Sequence, residues 1–207
     1  MKIKSVFSSC YLPPVYYYMH FIKAEEAVVD VNEFFVKQTY RNRCTIVGAN
    51  GLQDLIVPIE NRSSKILMKN MRIANVENWQ KNHWKTIESA YRKSPFFEYY
   101  EQDLYSFYST KKYDNLVAFN TELFTKINQL LNLKTVFVFS DKYIESSDFV
   151  EDYRTEISPK NKQLVFNQKQ YIQVFGDKLG FQPNLSIIDL LFNEGPNSLN
   201  YLKTCEG

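Results

Sequence analysis

The sequence predicts an α/β fold: one domain over residues 1–207, with a mixed sheet built from an N-terminal β-α-β unit and a hairpin, covered by helices. Three observations carry this expectation. The first 31 residues alternate strand, helix and strand patterns, Asn50-Gly51 separates two strand-like runs, and residues 116–130 place apolar side chains at helical spacing.

Taken in order, residues 2–7 read as a short strand, and Pro13-Pro14 closes the loop after it. Val15 to Lys23 then reads as an aromatic-rich helix and Ala27 to Val31 as an apolar strand, a unit whose crossover is almost always right-handed. Cys44–Val47 and Leu52–Pro58 flank Gly48-Ala49-Asn50-Gly51 as a hairpin. Asn75 or Asn78 is placed to cap a helix running to about Lys93, where Ser94-Pro95 interrupts it, and a further helix runs from Pro95 to Ser109. Leu116, Phe119, Leu123, Ile127 and Leu130 form the clearest amphipathic stripe. Thr135 to Phe139 is continuous, β-branched or aromatic, and reads as a buried central strand, while 141–163 reads as a long polar surface loop. Ser186 and Asp189 have the spacing of a capping box, and Gly195-Pro196 stops one helix and starts another.

Composition narrows the function classes. Apolar residues at 44% and charged residues at 23% suit a folded globular chain and argue against disorder. The 16 Phe, 15 Tyr and 2 Trp stand against 6 Gly, and those glycines cannot be arranged into a dinucleotide fingerprint, a P-loop or a nucleophile elbow. A net charge of +2 is too small for a nucleic-acid binder that works by its overall field. The odd cysteines Cys10, Cys44 and Cys205, without C-x-x-C spacing, fit a reducing cytoplasm better than a disulfide framework or a zinc ribbon. No apolar run approaches the ~20 residues of a membrane span, and no targeting signal is read at the N-terminus.

Several blocks then become familiar: Tyr11-Leu12-Pro13, Phe35 to Arg43, Asn78-Trp79-Gln80-Lys81-Asn82-His83-Trp84, Ala90 to Phe97, and Asn184 to Asn193 with Gly195-Pro196. In this order they resemble the WbqC-like family, over roughly residues 1–100 and 171–203. The resemblance implies a bacterial setting in surface-polysaccharide (O-antigen type) biosynthesis and supplies no catalytic residue to carry over. Two departures stand out. Ser8 and Ser9 occupy the places of a Gln-Pro pair, and the stretch at 141–166 is shorter than in longer members, which puts in doubt any site completed by the missing segment.

Candidate chemistry lies in a few places. His83 shares a predicted helix face with Trp79, Ile87 and Tyr91, where desolvation would lower its pKa and suit a general base; the plainer alternative is a packed histidine bonded to a backbone carbonyl. Lys37, Tyr40, Arg41, Asn42 and Arg43 concentrate cations and an amide within seven residues, a density that suits a pyrophosphate or carboxylate, or else an ordinary solvated edge. Residues 62–93 hold eight basic and two acidic side chains, a net +6 that is either an anion-attracting face or a solvated helix. Asp189 is read as a cap rather than a partner for His83, His20 as structural, and Cys10 as a weak candidate nucleophile; two histidines without ligand spacing argue against zinc.

The surface-polysaccharide setting that the resemblance implies, taken with these residues, points to a cytoplasmic enzyme that transfers an acyl, aminoacyl or similar group onto a nucleotide- or lipid-linked sugar. His83 would be the base, Lys37, Asn42 and Arg43 would hold the anionic part of the substrate, and Tyr40, Trp79 and Tyr91 would form an aromatic wall. Tyr11, Asn42 and His83 should then line one concave pocket, with Asn184 or Asn193 at its rim. No metal or cofactor and no nucleic-acid partner is expected; the ligand would be an anionic small molecule such as a sugar nucleotide or an activated acyl donor. The rivals are a non-catalytic binding module and a nucleotidyltransferase-like enzyme, the latter weakened by the absence of an H-x-G-H element.

Overall fold

A computed structural model describes residues 4–60, 65–76, 78–109, 112–147, 150–161 and 167–205. The chain opens with β1 (Lys4–Ser8), α1 (Val15–Phe21) and β2 (Glu26–Asp30), and β1 pairs with β2 in parallel from Lys4–Glu26 to Ser8–Asp30. Both strands are buried after their first residue, as a parallel sheet covered on both faces requires of Val6, Phe7 and Ala27–Val29. The hairpin follows as β3 (Arg43–Gly48) and β4 (Gly51–Ile56), antiparallel and in register from Arg43–Ile56 to Gly48–Gly51. Ala49 and Asn50 make the turn, and Gly51 supplies the positive φ of 112° that lets β4 begin at once.

The helices α2 (Trp79–Tyr91), α3 (Phe97–Ser109) and α4 (Leu116–Leu130) lie close to their expected bounds. The expected cap of α2 does not form. Asn75 donates its amide to the Tyr113 carbonyl, and Asn78 sits in the left-handed region at φ 45° with no side-chain bond to the helix.

Two expectations fail between residues 135 and 163. The strand there, β5 (Phe137–Phe139), is an edge strand: the sheet order is β5-β2-β1-β6, with β6 (Val150–Asp152) at the other edge and every pair parallel. Val138 and Phe139 are exposed, and Phe137 alone turns toward the core, against Phe21 and Phe124. The supposed loop at 141–163 holds β6 and a short helix α5 (Tyr153–Glu156), and its Arg154 is buried; residues 148, 149, 162 and 163 of that stretch lie outside the described residues.

Beyond these come α6 (Gly176–Leu179), α7 (Ile187–Glu194) and α8 (Ser198–Thr204). The capping box ahead of α7 is also absent. Ser186 Oγ donates to the Leu12 carbonyl, while the Asp189 carboxylate, fully buried, accepts from Tyr171 Oη at 2.5 Å and Gln173 Nε2 at 2.9 Å. Backbone bonds from Val15 to Leu185, Ile187 to Pro13 and Ser186 to Thr45 seat this segment against the first loop and β3. The core is aromatic throughout: Phe124 touches Tyr17, Tyr18, Phe21 and Phe137, and Phe192 packs on Tyr91 and Phe97. That packing absorbs much of the unusual Tyr and Phe content.

Candidate anion-binding cleft

After β2 the chain crosses to the hairpin by an irregular segment that needs anchoring. Glu33 supplies it: its carboxylate accepts from Arg41 Nε at 2.9 Å and Nη2 at 2.5 Å, a bidentate pair almost sealed from water. Burial pushes the Glu33 carboxyl up, and the Arg41 charge pulls it back. Removing one partner of such a pair strands the other, at a cost of about 3–5 kcal/mol. Thr39 Oγ1 bonds the Val36 carbonyl, and Gln38 takes a left-handed turn at φ 57°. Next to Arg41, Asn42 bonds Val57 twice, through its carbonyl to the Val57 N–H and through its side-chain amide to the Val57 carbonyl.

The outcome is a cleft of about 520 Å³ that Lys37, Gln38, Asn42 and Arg43 share with Lys160. Its other wall is the last residue of β4, Ile56, and the chain that follows it to Ile59. Three cations meet here. Arg43 has a 3.4 Å contact with Asp54, which is 41% exposed and also accepts from Thr45, so this pair neutralises little. Neither Lys37 nor Lys160 has an ion-pair partner among the described residues. Arg43 Nε, a donor, and Asn42 Oδ1, an acceptor, are buried without a hydrogen-bond partner. Unpaired buried polar groups are costly, and a ligand that pairs them recovers that cost.

His83 stands one layer behind. Its Nδ1 is 3.0 Å from Tyr11 Oη, which is in turn 2.8 Å from Tyr108 Oη. Trp79 meets the imidazole edge-on at 5.1 Å. Burial lowers the His83 pKa to about 4, partly offset by a hydrogen bond with the Ile56 backbone, so the ring is neutral at physiological pH. Ile56 also lines the cleft, so its backbone links the histidine to that wall.

The structure therefore brings Lys37, Asn42 and Arg43 together and distributes the other candidates elsewhere. Tyr40 turns its ring inward, which pushes its hydroxyl up to about 12, and gives its carbonyl to the Tyr11 N–H. Tyr11 is fully buried on Phe119, and Trp79 packs on the same ring. Tyr91 is fully buried against Phe192. Asn184 accepts from the Tyr16 N–H at the start of α1, and Asn193 donates to the Asp189 carbonyl. The single pocket expected for Tyr11, Asn42 and His83 is not built, because large rings gain more from the core than from a solvent-facing wall.

A second polar cluster, at the carboxyl ends of β1, β2 and β6, escaped the sequence reading. Arg154 binds Asp30, and it binds Asp152 at 2.8 and 2.5 Å; Asp30 also accepts from Ser140 Oγ at 2.7 Å. Sheets of this kind place ligands at such ends, yet here the protein's own ions pair with one another there. Asp30 had a readable signal, a carboxylate closing an apolar strand. Arg154, in a polar stretch, had none. Burial pushes the neighbouring Cys10 thiol up to about 12, which leaves no thiolate for nucleophilic work at neutral pH. No helix among the described residues is long and apolar enough to cross a membrane.

Comparison with known proteins adds a setting. The family model described as the WbqC-like protein family matches residues 8–161 and 155–201. The chain is also similar to the uncharacterized protein Rv1507c of Mycobacterium tuberculosis (strain ATCC 25618 / H37Rv), with 25% identity over 232 residues covering 99% of each chain. No solved structure matches it.

Proposed function

This chain belongs to the WbqC-like protein family, and from that premise we propose that it binds an anionic substrate, a sugar nucleotide or an activated acyl donor, in surface-polysaccharide biosynthesis. The observation that carries the reading is the cleft in which Lys37, Arg43 and Lys160 converge beside the unpartnered Arg43 Nε and Asn42 Oδ1. A diphosphate would take charge from the lysines and from the Arg43 guanidinium, and the buried Asn42 Oδ1 and Arg43 Nε would pair with the ligand once their side chains turn toward the cleft.

The reaction proposed for this site, in the cytoplasm, is transfer of an acyl, aminoacyl or similar group onto a nucleotide- or lipid-linked sugar, with His83 as the base. Its ring is neutral, which that role requires. Its burial behind the Ile56 backbone favours a second reading, a binding module without chemistry, since a base must reach the proton it removes.

Titration with UDP-sugars and acyl phosphates tests binding. A ligand at 100 times its Kd raises stability by about 2.7 kcal/mol. Arg43→Gln should weaken it about 10- to 100-fold, the value of a hydrogen bond to a charged group, with little change in Tm. Ligands that leave the melting curve unmoved, or an Arg43→Gln variant that binds as well as the parent, would sink the reading. If turnover is found, His83→Gln should reduce it about 10²- to 10⁴-fold; an unchanged rate removes the base and leaves the module.

A further inference from the structure

The basic residues of α2 have a use that the cleft does not absorb. Lys81, Lys85 and Glu88 follow one another along one wall of a groove of about 620 Å³, and Glu101 and Tyr105 of α3 form the other wall. Trp84 lies at its floor, in contact with Tyr105 at 5.2 Å and an angle of 50°.

The charges in this groove are sorted by end. Glu88 and Glu101 are both held by the Arg92 guanidinium, Glu101 through two bonds of 2.9 Å. Lys81, in the first turn of α2, and Lys85, at its middle, have no ion-pair partner among the described residues. Tyr105 stands 40% exposed between the two ends. A fitting ligand therefore carries an anionic group at one end, a C–H face in the middle and hydroxyl donors at the other.

We infer that this groove binds an acidic sugar, its carboxylate at Lys81 and Lys85, its ring on Tyr105 and its hydroxyls toward Glu88 and Glu101. Tyr105 leans on Trp84 at 50°, so the two rings leave no parallel slot to sandwich a flat base, and the exposed Tyr105 ring meets the C–H groups of a puckered sugar; AMP is the control for stacking on Tyr105 alone. The groove shares no lining residue with the Lys37–Arg43 cleft, so the two can fail separately.

The two tryptophans make the test direct. Digalacturonate titrated into the full chain should change the emission of Trp84 saturably, a change lost in Trp84→Phe and accompanied by amide shifts in α2 and α3 by NMR. Tyr105→Ala should weaken binding about tenfold or more, the scale of one aromatic contact. Lys81→Gln with Lys85→Gln should weaken it similarly and remove its sensitivity to salt. Arg43→Gln should leave it unchanged. The inference is overturned if digalacturonate gives no saturable response, if neutral digalactose binds as tightly, if AMP binds in its place, or if Tyr105→Ala binds as the parent does.

Discussion

His83 and Asp189 are both held out of water, and burial moves their proton affinities in opposite directions. The imidazole, lowered from 6.5 to about 4, stays neutral in the folded chain while its unfolded counterpart takes up a proton. Its contribution to stability is complete above pH 6.5 and is lost as pH falls toward 4. The Asp189 carboxyl is raised from 3.8 to about 6 by burial, against the pull of hydrogen bonds from Tyr171 and Gln173. Its contribution is complete below 3.8 and is lost as pH rises through 6. Between pH 4 and 6 the two slopes oppose each other, each spanning up to about 3 kcal/mol at one pKa unit per 1.4 kcal/mol. Relative to the parent, Asp189→Asn should therefore gain stability with rising pH across that window, and His83→Gln should lose it. Urea midpoints at pH 4.5, 5.5 and 6.5 check both signs. Variants whose profiles run parallel to the parent would show that neither group titrates differently on folding.

Glycines with positive φ fix where two of the helices end. Gly195 ends α7 at φ 52°, and a Cβ there would come within 2.5 Å of the Phe96 ring. Gly195→Ala should cost about 2 kcal/mol or more from overpacking and the left-handed backbone together, or roughly 4–8 °C in Tm. Gly180, at φ 70° with nothing near its Cβ, bears the backbone penalty alone, and Gly180→Ala should lose about half as much. Equal losses in differential scanning calorimetry would show that the Phe96 contact yields. The exposed edge β5 makes a different prediction: Val138→Lys should leave Tm within about 1 °C and raise solubility, because a charge discourages edge pairing. Such elements also mark what sequence could reveal. α4 was legible because five apolar residues share one face, and β1-α1-β2 because two apolar strands bracket Pro13-Pro14. The placement of Thr135 to Phe139 was not, since a continuous apolar run looks the same at the centre of a sheet as at an edge whose outer face is apolar. Asn42 and Arg43 were readable because Lys37 lies in the same segment. Lys160, more than a hundred residues away, carried no local sign.

At the scale of the molecule, residues 12–16 are bound to residues 184–187 by four hydrogen bonds, from Asn184 with Tyr16 to Ser186 with Leu12, two of which make the Pro14–Ser186 backbone bridge. The Tyr-rich helix α1 thus has part of its cover in chain that is made last. Contacts of such sequence separation slow folding, because the loop must close before they reward it. At ~5–20 residues per second, the ribosome delivers 184–187 roughly 10–35 s after 12–16. For that interval Phe124 and Phe137 can already pack on Tyr17, Tyr18 and Phe21, but the side of α1 that α7 and α8 cover stays open in the nascent chain, a surface on which a chaperone can act. Synonymous codons that slow translation between 130 and 184 should lengthen that exposure and lower soluble yield, while the finished protein keeps the same Tm.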